Sequence, residues 1–384
     1  MEEERATASS SPVKSVVEGK TRLAVPDVSR PEDGFAFYNP RMSLARDLSV
    51  AAVPSTFSFC DLLAACGARG IRLSVEKGLT DVTLIDKNPS AVRLIEQNLR
   101  DNGVENRVRI VHGDANGTLY NEGRFYDFID IDPFGSPVPF LDSGILFSKK
   151  MIAITATDTA ALCGVYPRVS KRRYMAHIPF KTPFFHEVGV RVLAGFAVRM
   201  AARHDVALRP VLSQSSDHYY RIYFERAEGA GRADEALGKV GFLHHCRDCF
   251  YSAGGSESET PSGPCPSCGG KIHVLGPLLL GNLWDASFCE TALNECSERG
   301  FLRAEKLLEL MIQESSLADG FFYNLHELCS KLSIGPPKSS SVIEELSKQG
   351  FRVCRTHFDP RGIRTDAGLG ELNKILLSLW SSKA

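Results

Sequence analysis

What most constrains this chain is a repeated alternation of short, apolar, β-branched runs with helical segments, in which run after run closes on an acid. Phe57 to Asp61, Val82 to Asp86, Val108 to Asp114 and Tyr126 to Asp132 read as strands. Met151 to Asp158 is a fifth, ending in the polar pair Thr157 and Asp158. Between the second and third, Pro89 to Asn102 carries Val92, Ile95 and Leu99 at helical spacing. Such alternation predicts a doubly wound, Rossmann-like α/β sheet, whose ligands lie beyond the carboxyl ends of the strands. That edge gathers Asp61, Asp86, Asp114, Asp132 and Asp158. One strand-ending Asp is commonly only a turn former or helix cap. Their repetition beside a small-residue loop points to a nucleotide-type cofactor.

The loop is Ala64-Ala65-Cys66-Gly67-Ala68-Arg69-Gly70. Small residues, Gly67 among them, let a ligand approach the backbone, and the helix that follows offers free N–H groups. Asp86 lies about twenty residues beyond the loop, where such folds hold ribose hydroxyls. The Gly-x-Gly-x-x-Gly fingerprint of nicotinamide enzymes is poorly matched. After Asp132 the chain turns sharply through Pro133-Phe134-Gly135. The Asp132 carboxylate and the Pro133 carbonyl can accept both hydrogens of an exocyclic amine while Phe134 stacks on its ring. An ordinary strand ending is the competing explanation for that turn taken alone. Upstream, Phe35-Ala36-Phe37-Tyr38 leads into a short helix holding Arg46 and reads as a lid or flank, with Arg46 suited to gripping a carboxylate.

A formal net charge of −1 gives no global attraction to nucleic acid, so any such binding must use local basic patches. Lys171, Arg172 and Arg173, and the group Arg352, Arg355, Arg361 and Arg364, are the candidates for phosphate contacts. Eleven cysteines divide into two kinds. Cys60, Cys66, Cys163, Cys289, Cys296, Cys329 and Cys354 are scattered among apolar residues and read as buried small hydrophobes in a reducing cytoplasm. Cys246, Cys249, Cys265 and Cys268 form two Cys-x-x-Cys knuckles, a strong signal for a closed, structural zinc site. Helical patterns over Phe301–Gln313, Leu325–Leu332 and Ser339–Gln349, then a hairpin around Pro360-Arg361-Gly362, suggest a winged-helix arrangement. No secretory or membrane-spanning segment is legible, and no obligate protein partner is evident.

Asp-Leu-Leu-Ala-Ala-Cys-Gly-Ala-Arg-Gly-Ile-Arg resembles the cofactor loop of S-adenosylmethionine-dependent methyltransferases, and Asp-Pro-Phe-Gly their amino-methylating motif. With Phe-Tyr-Asn-Pro-Arg-Met, Arg-Asp-Leu-Ser and Thr-Ala-Thr-Asp-Thr-Ala added, the chain resembles the Trm1 family, tRNA guanine-26 N2-dimethyltransferases, in its archaeal-type form. The resemblance implies a class I methyltransferase domain followed by a C-terminal α+β domain carrying the zinc knuckles and meeting tRNA. Expected bounds are 1–15 for a disordered start, 16–228 for the catalytic domain and 229–384 for the second. S-adenosyl-L-methionine would meet Arg46 and Arg72 at its carboxylate, Asp86 at its ribose, and Asp114 with the Ala115 backbone at its adenine; Asp61 and Gly67 join this set from the loop. Asp132, Pro133 and Phe134 would hold the guanine amine, with Phe140, Thr157 and Asp158 around the base. Two other readings stay open: a methyltransferase acting on another RNA or DNA amine, and a non-catalytic zinc-ribbon RNA-binding protein.

Overall fold

The computed structural model describes residues 12–216, 218–256, 259, 263–317 and 320–382. The chain divides into two compact units, Met1–Asp132 and Pro133–Ala384. That division falls inside the stretch expected to form one catalytic domain. Most of the expected disordered start, 1–11, lies outside the described residues, whereas Val13, Lys14 and Ser15 already belong to a strand.

The first unit opens with an antiparallel hairpin, β1 (Val13–Glu18) and β2 (Thr21–Pro26). Helix α1 (Ser43–Ala52) follows, then β3 (Phe59–Asp61), α2 (Ala68–Glu76), β4 (Val82–Asp86), α3 (Pro89–Asn102), β5 (Val108–His112), α4 (Ala115–Glu122) and β6 (Tyr126–Ile131). Strands β3 to β6 are parallel in the order β5-β4-β3-β6. The order reverses between β3 and β6, and such a crevice is where open α/β sheets bind ligands. Register across it sets Phe59 beside Phe128 and Asp61 beside Asp130. Close helix-to-sheet packing explains Gly70, where a Cβ would stand 2.4 Å from Leu84. Helix α1 is no lid: eight of its residues, Arg46 included, are buried, and it packs on α2.

The second unit contains α5 (Val138–Phe147), β7 (Ser148–Ala156), α6 (Thr159–Leu162), α7 (Pro167–Tyr174) and α8 (Phe185–Ala202), then β8 (Val206–Ser216) and β9 (Tyr219–Glu228). Strands β7, β9 and β8 pair antiparallel in that order. The expected domain boundary near 228 is occupied by α9 (Ala230–Leu237), a helix packed on β8 and α8 through the buried Ala233. Strands β10 (Val240–Cys246), β11 (Ser252–Gly255) and β12 (Ile272–Leu279) form the sheet that carries the cysteine knuckles. After α10 (Ala286–Arg299) and α11 (Leu302–Ser315) comes the winged-helix arrangement: β13 (Tyr323–Asn324), α12 (Leu325–Lys331), α13 (Ser339–Lys348), β14 (Val353–Arg355), β15 (Gly362–Thr365) and α14 (Leu369–Ser381). Its core is Leu328, Val342, Leu346, Ile363, Leu372 and Leu376, contributed by all three helices that flank the hairpin. All seven isolated cysteines are buried.

Candidate functional site

In the first unit the carboxyl ends of β3 and β6 converge on one cation. Arg69, on the first turn of α2 and 5% exposed, donates from Nη2 to Asp132 Oδ2 and stands with Nε 3.5 Å from Asp130 Oδ1. Its other nitrogen donates to Ser49 Oγ at 2.5 Å and to the Ala45 carbonyl at 3.3 Å, so the planar fork is fixed by α1. Asp61 adds a third carboxyl, donated to at 3.2 Å by the Leu63 amide. Burial and the neighbouring Asp130 push the Asp61 carboxyl up to about 7, against the opposing pull of Arg69. In the sequence Arg69 reads as a weaker ligand candidate than Arg72, and Asp130 does not stand out. The legible signal was Asp130-Ile131-Asp132, since alternate residues of a strand share a face.

The loop between β3 and α2 places Ala65 at φ 53 and Gly67 at φ 76, both left-handed. Such a φ is unusual for Ala65, which bears a Cβ. It is held there because its amide donates to Asp86 Oδ2 at 2.8 Å, while Asp86 Oδ1 accepts from Asn88 at 2.8 Å. Asp86 therefore ties the loop to the end of β4 and keeps acceptor capacity on each oxygen. Asp114 caps α4, taking the Gly117 amide at 2.9 Å on Oδ1. The Ala115 that follows is buried.

Two arginines expected at a ligand's carboxylate are already matched. Arg46 forks onto Glu18, with Nε 2.7 Å from Oε2, and stands 5.1 Å from the Tyr38 ring centre. Arg72, fully buried, meets Glu76 at 2.7 Å, Asp47 at 2.8 Å and Glu18 at 3.4 Å. These pairs cross-link β1, α1 and α2. The sequence could not show this, because Glu18 lies far from both arginines along the chain. Asp61, 3% exposed, is likewise buried, with Asp130 beside it on β6.

In the second unit, Pro133 is buried while Phe134 is 78% exposed. The turn is locked from behind: Gly135, at φ 97, donates to Thr157 Oγ1 at 2.6 Å, and the Thr157 amide donates to the Gly135 carbonyl at 2.9 Å. Asp158 accepts from Tyr174 Oη at 2.6 Å and from Arg173 at 2.8 Å, and Tyr174 Oη also meets Ser136 Oγ at 2.9 Å. Burial and Asp158 hold the Tyr174 phenol well above its usual range. Thr157 and Asp158 thus fasten the turn and α7. Phe140 lies half-buried at the first turn of α5. Lys171 and Arg172 are exposed; Arg173 spends its charge on Asp158. Arg364 cannot reach a phosphate, being buried between Glu187 and Glu314 at 2.8 and 2.7 Å. Arg352 is paired with Asp366 at 2.8 Å.

Cys246, Cys249, Cys265 and Cys268 bring their sulfurs within 4.8 Å of one another, with the two cross-knuckle pairs at 3.6 Å. Sulfurs about 2.3 Å from a tetrahedral zinc stand about 3.8 Å apart, so the donor set fits that ion. His245, beside it, is buried with its ring 2.9 Å from Ser252 Oγ, so it serves packing.

A sequence profile described as N2,N2-dimethylguanosine tRNA methyltransferase matches residues 18–377. The tRNA (guanine(26)-N(2))-dimethyltransferase of Methanothermobacter thermautotrophicus is 39% identical over 380 residues, covering 95% of this chain and 99% of the relative. That of Methanopyrus kandleri is 39% identical over 373 residues, covering 94% and 96%. Among solved structures, Trm1 from Pyrococcus horikoshii with S-adenosyl-L-methionine superposes with a TM-score of 0.85 at 32% identity, covering 94% of this chain and 99% of that one.

Proposed function

Because the chain belongs to the N2,N2-dimethylguanosine tRNA methyltransferase family, we propose that it methylates the exocyclic N2 of guanine 26 in tRNA, first to the mono- and then to the dimethylated base. The observation that carries this reading is Asp132, clamped by Arg69 at the carboxyl end of β6 and followed directly by Pro133 and the exposed Phe134. S-adenosyl-L-methionine supplies the electrophilic methyl group when bound. Asp86 would hold the ribose hydroxyls, and Asp114 with the Ala115 backbone the adenine. The left-handed loop at Ala65 and Gly67 lets the ligand lie close to the backbone. Arg46 and Arg72 act as fixed walls of the methionine end, since their charges are answered by Glu18, Asp47 and Glu76.

The lone pair of guanine N2 is delocalised into the ring, so the site must orient the amine and hold its hydrogens. Arg69 engages one oxygen of Asp132, leaving the other to accept an amine hydrogen, and the Pro133 carbonyl takes its partner. Two acceptors favour a pyramidal nitrogen and stabilise the positive charge that grows on it. Phe134 stacks on the base. Asp132 accepts the proton that the methylated nitrogen sheds and passes it to water; one hydrogen remains, and the amine rotates before Asp132 grips it again. Zinc held by the four cysteines would tie the β10–β12 sheet together and leave no open position for chemistry. The seven isolated cysteines, buried and outside any disulfide, suit the reducing cytoplasm.

Purified protein incubated with S-adenosyl-L-methionine and unmodified tRNA should yield N2,N2-dimethylguanosine on nucleoside mass spectrometry. A transcript carrying adenine at position 26 should yield none. Methylation of another base, or of neither transcript, would overturn the assignment.

A further inference from the structure

The geometry points to a groove in the second unit, between the cysteine knuckles and the winged-helix arrangement, as a seat for the sugar-phosphate backbone of the tRNA. A cavity of about 470 Å³ is lined by Lys181, Arg247, Lys331 and Arg361, with Phe180, Phe185 and Phe250 between them. All four cations are exposed, and among the described residues none forms a salt bridge. This sets them apart from Arg173, Arg191, Arg209, Arg352 and Arg364 of the same unit, each of which faces a carboxylate.

Three of the four rest on aromatic faces instead. Arg247 stands 4.7 Å from the centre of Phe180, Lys181 3.6 Å from Phe185, and Lys331 5.2 Å from Phe250. A cation held on a ring is oriented without being neutralised, so its N–H groups stay available to an anion. The groove also holds Glu327 and Asp359. Asp359 is occupied within the protein, accepting from Asn324 at 2.9 Å and from the Arg361 amide at 2.8 Å. The lining therefore carries an excess of positive charge in a chain whose net charge is −1. Charges strung along a groove and interleaved with rings match a nucleic-acid strand better than a single small anion. Arg247 lies within the first knuckle, between Cys246 and Cys249. The metal site thereby acquires a purpose: it fixes one wall of the groove.

This inference rests on the tRNA reading above, and one experiment separates the two. The triple variant R247Q/K331Q/R361Q of the full chain is compared with the wild type for methyl transfer to tRNA. The expected result is a KM for tRNA raised about tenfold or more, kcat at saturating tRNA within twofold, and S-adenosyl-L-methionine affinity unchanged. The slope of log Kd for tRNA against log salt should flatten by about 2 to 3, one counterion for each lost charge. Wild-type tRNA affinity and salt slope in the triple variant would overturn the groove while leaving the activity intact. A wild type that does not methylate tRNA would instead overturn the function. If the triple variant loses zinc, the pair K331Q/R361Q, outside the knuckles, is read by the same two measures.

Discussion

Arg69 and Asp132 are joined directly, guanidinium to carboxylate, and the same Arg69 faces Asp130 at 3.5 Å. One buried cation thus answers the last acid of the strand and the acid two residues before it, with Asp61 alongside. Three carboxyls against one guanidinium leave the cluster short of positive charge. The protein accommodates this by letting Asp61 keep its proton into the neutral range.

Arg69→Gln should lower kcat by about 100-fold, because Asp132 loses the donor that fixes its orientation, a contribution of the size found for preorganised charge-assisted contacts. Arg69→Lys should recover part of this rate, since it restores the charge without the planar fork. Asp132→Asn should abolish transfer with S-adenosyl-L-methionine affinity kept. Steady-state kinetics beside calorimetric binding distinguish the roles: equal loss of rate and of cofactor affinity in Asp132→Asn would place that residue elsewhere.

The raised Asp61 carboxyl predicts a pH dependence of stability. Between its ordinary value of 3.8 and about 7 the folded protein holds a proton that the unfolded chain releases, so this group's contribution is full at low pH and is lost as pH rises to about 7. In Asp61→Asn that slope is absent. Urea midpoints at pH 5 and pH 8 should therefore fall less for the variant than for the wild type, and parallel curves would contradict the assignment.

Phe134 is exposed, so Phe134→Ala should leave the unfolding free energy within about 0.5 kcal/mol of wild type. Transfer to tRNA should nevertheless drop by about ten- to a hundredfold, the worth of one base-stacking contact. Thermal denaturation and transfer assays on the same preparation test the two halves together.

The pair Glu18 and Arg46 is buried, so Arg46→Ala leaves the Glu18 carboxylate only Arg72 at 3.4 Å and the Tyr38 hydroxyl at 2.7 Å, and should cost about 1.5–3 kcal/mol of stability. The Glu18 carboxyl is held below its ordinary 4.5, chiefly by Arg46 working against the penalty of burial. Its contribution is present above about 4.5 and is lost as pH falls below that. The stability gap between wild type and Glu18→Gln should accordingly close in acid. A fall in cofactor affinity with no change in stability in Arg46→Ala would return Arg46 to direct ligand contact.

Removing the metal tests the knuckles. Elemental analysis should find one zinc per chain, and Cys265→Ser or a chelator should remove it and lower the melting temperature. Affinity for S-adenosyl-L-methionine should persist through that loss, because the residues proposed to hold it lie in the first unit.

Sequence alone settled what depends on local pattern. Apolar periodicity and strand-ending acids gave the parallel strands, the loop before α2 and the place of Asp86, Asp114 and Asp132. Paired Cys-x-x-Cys spacing foretold the four-thiol cluster, because tight turns predetermine where the sulfurs point. What no local pattern carries is which charge answers which across separate elements. Arg46 and Arg72 read as ligand-binding cations, and only the packing of β1 against α1 and α2 showed Glu18 already there. Arg69 and Asp130 gained their importance when the register of β3 beside β6 set Asp61 next to Asp130. Arg361 and Arg364 look alike in sequence; burial closed one between two glutamates and left the other open on a groove. Electrostatic partners are chosen by distance in space, and tertiary structure alone fixes that distance.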